Sequence, residues 1–114
     1  MCSKVVLDTI TGRVCAAAKE VLGDKLEKVL LYGSYARGDY DEYSDVDIFI
    51  LADIPQEDCN KTSSKIDSLT SDLDLEYNML ICPNVTSSAI FYQCLDFLPF
   101  FMNVQKDGVV LYAA

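Results

Sequence analysis

The stretch Leu31-Tyr32-Gly33-Ser34-Tyr35-Ala36-Arg37-Gly38, followed after a polar loop by Ser44-Asp45-Val46-Asp47-Ile48, decides how the rest of the chain is read. Residues 28–32 (KVLLY) form a short apolar strand that runs into Gly33-Ser34, and residues 35–38 begin a short helix. A strand that ends in Gly-Ser and turns into a helix presents backbone N–H groups where the helix dipole is positive. Gly33 lets an anion approach the backbone closely, and the Ser34 hydroxyl adds a donor. Asp45 and Asp47 open the next strand, over 45–52, and their spacing points both carboxylates to one face. Two like charges side by side ahead of an apolar run are costly unless a cation neutralises them. Taken singly, the first motif is a turn and the second a solvated loop cap. Taken together they are an anion cradle and a carboxylate clamp, the two halves of a metal–nucleoside triphosphate site.

Outward from this centre, helices and strands alternate. A first helix, capped by Ser3, runs to about Leu22 with Val6, Ile10, Val14, Ala17 and Val21 at helical spacing, and Gly23-Asp24 ends it. Strand 45–52 is apolar on both faces in its far half, as a central strand is. Residues 57–71 read as a polar amphipathic helix with Ile66 and Leu69 turned inward. Residues 73–82 alternate like a third strand, with Leu75, Tyr77, Met79 and Ile81 on one face and Asp74, Glu76, Asn78 and Leu80 on the other. Residues 87–97 suit a helix, Pro99 opens another, Gly108 caps it, and 109–112 form a short last strand. The class is α/β or α+β, a small mixed sheet flanked by helices in a single domain over residues 1–114.

Composition removes several chemistries. The chain has 114 residues and no histidine, which excludes Ser-His-Asp and Cys-His triads and imidazole zinc sites. Nine basic against eighteen acidic residues leave a net charge of −9, so the surface repels nucleic acid and suits cations or basic partners. Cys2, Cys15, Cys59, Cys82 and Cys94 form no C-x-x-C pair and sit among apolar residues, the pattern of small buried hydrophobes in a reducing compartment. The first residues lack a signal-peptide pattern and no apolar run reaches membrane-span length, so a cytoplasmic protein is expected.

Gly33-Ser34-Tyr35-Ala36-Arg37-Gly38 with Ser44-Asp45-Val46-Asp47 resembles the signature of the DNA polymerase beta-like nucleotidyltransferase superfamily. The short length points to its minimal nucleotidyltransferase branch, the antitoxin partner of HEPN-domain toxins. The closing stretch Leu98-Pro99-Phe100-Phe101-Met102-Asn103-Val104-Gln105-Lys106-Asp107-Gly108-Val109 is also similar to the end of such domains. That resemblance implies the nucleotidyltransferase fold, with transfer of a nucleotidyl group, usually AMP from ATP, to a hydroxyl. It implies that Gly33 and Ser34 hold the triphosphate and that Asp45 and Asp47 hold two magnesium ions. Arg37 can reach a phosphate oxygen or pair with Asp39, Asp41 or Glu42. Tyr35, Tyr40 and Tyr43 flank the loop within reach of a nucleobase.

Active members of the superfamily usually carry a third carboxylate on a later strand. Within Leu75-Glu76-Tyr77-Asn78-Met79 that place falls on Asn78, which can ligate through its carbonyl but cannot act as a base. Glu76 or Asp74 would substitute if the register allows. Three functions follow. The first is a protein nucleotidyltransferase antitoxin, and the second an acidic antitoxin that neutralises a basic partner by docking alone. The third is a nucleotidyltransferase for a small cationic molecule, with a homo-oligomer supplying the missing wall. The aromatic cluster Phe91, Tyr92, Phe97, Phe100 and Phe101 reads as core, with any surplus apolar surface left for a partner.

Overall fold

The computed structural model describes residues 4–38 and 45–114, and only the backbone of Ser34. Helix α1 (Lys4–Leu22) passes through a short 3-10 turn (Gly23–Lys25) into strand β1 (Leu26–Tyr32), which feeds the one-turn helix α2 (Ser34–Arg37). Strand β2 (Val46–Ala52) is followed by helix α3 (Gln56–Tyr77), strand β3 (Ile81–Ser87), helices α4 (Ser88–Cys94) and α5 (Pro99–Asp107), and strand β4 (Val109–Ala113). The four strands form one mixed sheet in the order β3-β2-β1-β4. β1 is antiparallel to both β2 and β4, whereas β2 and β3 are parallel, joined by α3 as the crossover.

Strand alternation divides the core in two. Ile48 and Ile50 of β2 join Val29 and Leu31 of β1 under α1 and α3, where Ile10, Val14, Ile66 and Leu73 complete one buried cluster. Phe49 and Leu51 point to the opposite face and meet Leu30, Phe91 of α4 and Val104 of α5 in a second. β2 is therefore buried on both sides, as its unbroken apolar run requires. Phe49 is wholly buried, and its ring lies 5.5–6.1 Å from those of Phe91, Tyr32, Phe100 and Phe101. Truncating it should cost about 3–5 kcal/mol. Because the whole stability of such a domain is roughly 5–15 kcal/mol, urea denaturation of Phe49→Ala should show a sharply lowered midpoint.

Three sequence expectations change here: Leu69, expected inward beside Ile66, is 42% exposed, and two elements have other bounds. The alternation over 73–82 is not a strand: α3 continues through it to Tyr77, and β3 begins only at Ile81. Leu73 is buried at helical spacing from Ile66 and Thr70, while Leu75, which a strand would have turned inward with it, is 88% exposed. Asp and Glu at every second position are poor strand formers, and the helix simply runs on. Asn78 stops it by taking a left-handed conformation (φ 52°), with its N–H and that of Met79 both bonded to the Asp74 carbonyl. Pro83 is accommodated because β3 lies at the edge of the sheet. The last change concerns the expected helix over 87–97, which is shorter, ending at Cys94.

The aromatic cluster splits between inside and outside. Phe91 is buried, but Tyr92, Phe97 and Phe100 are exposed and continue into the exposed Leu98 and Met102. Among the described residues, no helix is long and apolar enough to cross a membrane.

Candidate functional site

The register of the sheet assembles the site. β1 ends, and β2 and β3 begin, at the same rim, where Tyr32 is paired with Asp47 and Asp47 with Cys82. Neighbours paired across a sheet stand on the same face, so Tyr32, Asp47 and Cys82 form a row on the side that α5 covers. Asp45, just ahead of β2, joins this row. Ligand-capable atoms of Asp45, Asp47 and Cys82 all lie within 4.8 Å of one another, the one such group among the described residues.

Gly33 closes the row from the β1 side. Its φ is +76°, and a Cβ built on it would lie 2.6 Å from Oδ2 of Asp47. Glycine is required twice over, by backbone conformation and by the carboxylate that occupies the place of a side chain. The Gly33 carbonyl accepts hydrogen bonds from the N–H groups of Ala36 (3.2 Å) and Arg37 (3.1 Å), which folds the chain into the single turn of α2. A helix of one turn has little macrodipole, so any anion held here depends on local N–H groups and on Arg37 rather than on a long helix. A cavity of about 210 Å³ adjoins the row, lined by Tyr32, Gly33, Arg37, Phe100, Asn103 and Asp107 among others.

The charges behave as a crowded anionic site should. Burial pushes the Asp47 carboxyl above its ordinary range, Asp45 pushes it further, and the Arg37 guanidinium opposes both. Burial raises the Cys82 thiol to about 11, with Asp45 and Asp47 adding to it, so without a cation it is a neutral thiol at pH 7. Tyr32 is raised mainly by burial and then by Asp47, while a hydrogen bond with Asn84 acts the other way. Two carboxylates facing each other across a partly buried rim are the donor set of a divalent cation, and the two aspartates fit one.

The residues expected of the site separate into three groups. Gly33, Arg37, Asp45 and Asp47 lie together at the rim. Ser34 lies at the start of α2, and its side chain is outside the described residues, as are Asp39, Tyr40, Asp41, Glu42, Tyr43 and Ser44. Glu76 and Asn78 do not sit on a strand beside β2. Glu76 is an exposed residue of α3, and Asn78 serves as the left-handed cap of that helix. Asp74 is also on α3, where burial and then Asp67 push its carboxyl up; its charge is felt at Cys82, but it lies outside the three-residue group. Tyr35 is buried in the main core and is not a base-stacking surface.

Cys82 is the site residue that sequence reasoning passed over. The available signal was Asn78: a helix-terminating asparagine ahead of Met79-Leu80 would have moved the strand to 81–87 and set Cys82 opposite Asp47.

Similarity to other proteins agrees with this arrangement. Residues 14–97 match the nucleotidyltransferase domain family. "Putative protein adenylyltransferase MJ0141" of Methanocaldococcus jannaschii is 43% identical over 76 residues, 67% of this chain and 75% of that protein. "Putative protein adenylyltransferase MJ0604" of the same organism is 35% identical over 96 residues, 84% of this chain and 88% of that one. A crystal structure of a toxin–antitoxin with AMP-PNP superposes with a TM-score of 0.56 at 19% identity, covering 91% of this chain and 73% of the other. A mutant of the toxin–antitoxin MntA-HpeT gives 0.55 at 18% identity, with the same two coverages. At those identities the structural likeness speaks for the fold, and the sequence relatives speak for the family. With 84 of its 114 residues inside the family match (14 to 97 inclusive), the chain belongs to the nucleotidyltransferase domain family.

Proposed function

We propose that the chain transfers a nucleotidyl group, AMP from ATP, to a hydroxyl of a partner protein, and that it serves as the antitoxin of a HEPN-domain toxin. The observation that carries this reading is the Asp45–Asp47 pair set against the Gly33 turn, with the cavity of about 210 Å³ beside it. Relatives named as protein adenylyltransferases favour a protein acceptor over a small molecule. A structural neighbour that is a toxin–antitoxin holding AMP-PNP favours both the nucleotide and the partner.

In this reading Gly33 and Ser34 bound the triphosphate and Arg37 meets a phosphate oxygen. Asp45 and Asp47 hold the cation, magnesium by resemblance to the superfamily. Bound there, a divalent cation supplies charge stabilisation on the phosphate oxygens as the acceptor oxygen attacks and pyrophosphate leaves. The residues orient the α-phosphate for in-line displacement: the acceptor O–P bond forms, the bond to the β-phosphate bridge breaks, and the acceptor proton passes to water.

Docking without transfer is the second reading, favoured by a thiol, Cys82, rather than a carboxylate as the third group beside Asp45 and Asp47, and by the exposed Tyr92, Phe97, Leu98, Phe100 and Met102. Incubation with α-phosphate-labelled ATP, a divalent cation and a purified HEPN-domain toxin separates the readings. Label on the toxin supports transfer. A stable complex that neutralises the toxin unlabelled would make the chain a docking antitoxin, and label on an added aminocyclitol would indicate a small-molecule enzyme.

A further inference from the structure

We propose that Cys82 is a third protein ligand beside Asp45 and Asp47, and that the site therefore binds thiophilic divalent cations of the zinc class more tightly than the magnesium on which transfer is proposed to run. This rests on the nucleotidyltransferase reading of the same two carboxylates. The position of the sulfur is a property of the sheet, not of a loop. Val46 and Ile48 of β2 share one buried cluster with Ile81 and Val85 of β3, so Asp47, between the first pair, and its partner Cys82 stand together on the other face. Their ligand atoms and those of Asp45 converge within 4.8 Å, close enough to be drawn onto one ion.

The donor set then decides between metals. Magnesium demands oxygen ligands in near-octahedral array, and sulfur is a poor partner for it. Thiolate suits zinc and its softer relatives, and three protein ligands leave positions open for phosphate oxygens and water, as catalytic zinc sites do. On binding, the Cys82 S–H bond breaks, its proton passes to the buffer and an S–metal bond forms; no electrons are exchanged. In place of a third carboxylate, the chain thus offers a ligand that completes the charge of the set only when a thiophilic cation is present.

The test is a titration of the reduced chain with Co²⁺ and Cd²⁺, followed by near-ultraviolet sulfur-to-metal charge-transfer absorption, with Mg²⁺ affinity measured by calorimetry. Cys82→Ser, Cys82→Asp and the Asp45→Asn/Asp47→Asn double variant are run alongside. All retain the other four of the five cysteines, so differences isolate the site. The wild type should show a charge-transfer band that Cys82→Ser and the double variant lack. Cys82→Ser should weaken Cd²⁺ binding by about tenfold or more, the scale on which losing even an outer partner of a ligand is felt, while leaving Mg²⁺ affinity nearly unchanged. Cys82→Asp should strengthen Mg²⁺ binding. If the double variant loses Mg²⁺ while Cys82→Ser keeps full Cd²⁺ affinity and the same spectrum, the Cys82 assignment falls and the carboxylate site stands. A double variant that binds every cation like the wild type overturns both.

Discussion

Replacing Asp47 with asparagine should lower nucleotidyl transfer by about a thousandfold or more, a larger loss than the roughly 10–100-fold that follows removal of an outer partner of a metal ligand. Asp47 is the hub of the rim: it pairs with Tyr32 on one side and Cys82 on the other, shares the ligand group with Asp45, and fills the space Gly33 leaves open. Asparagine keeps the shape and removes the charge. Its pH behaviour supplies a second readout. Burial and Asp45 raise the Asp47 carboxyl above the ordinary carboxylate range, so protons compete with the cation at a higher pH than at an ordinary aspartate. Cation affinity measured by calorimetry should therefore fall as pH drops through that raised value, and Asp47→Asn should flatten this dependence.

The same raised value fixes the sign of a stability effect. In the cation-free protein the folded state holds the Asp47 proton more tightly than the unfolded state. Its contribution is fully present below the unfolded pKa and is lost as pH rises through the folded one. At neutral pH, cation-free Asp47→Asn should accordingly melt above the wild type, while saturating cation should raise the wild type selectively. A variant that loses transfer and gains cation-free stability is one whose charge was kept for binding rather than for folding.

The parts of the site that lie close in sequence were legible in it. Gly33, Arg37, Asp45 and Asp47 meet because one strand runs into a turn and the next begins at the same rim, and both events are written in local spacing. Their chemistry also follows from residue type, since paired carboxylates ahead of an apolar strand imply a cation. What was not legible depends on register between distant strands. Asp74, Glu76 and Asn78 alternate with apolar residues as a strand would, yet the burial of Leu73 and the exposure of Leu75 show that the helix wins. An error of a few residues in where α3 ends shifted β3, and with it the identity of the residue beside Asp47, from asparagine to cysteine. Tyr35 failed for a related reason: it follows the glycine turn like a loop residue, but the single turn of α2 aims it into the core under α1 and α3.

Gly33→Ala should separate geometry from charge, because it changes no ligand and no titratable group. Two penalties apply. The backbone at φ +76° disfavours any Cβ by about 1–2 kcal/mol, and the new methyl would lie 2.6 Å from Oδ2 of Asp47. Since that oxygen ends a short side chain, it yields before the backbone does, and the carboxylate turns away from Asp45. A displacement of about 1 Å in a positioning group costs roughly 100-fold in rate, so transfer should fall by about that factor while the protein stays folded. Gly23→Ala is the matched control. Its φ is +54°, and a Cβ there meets nothing within 4 Å, so it suffers the backbone strain without the collision. Both variants should lose similar stability in urea, yet only Gly33→Ala should lose cation affinity and transfer. Equal transfer by the two would mean that the open space beside Asp47 is a matter of folding alone and that the carboxylate does not need it to work.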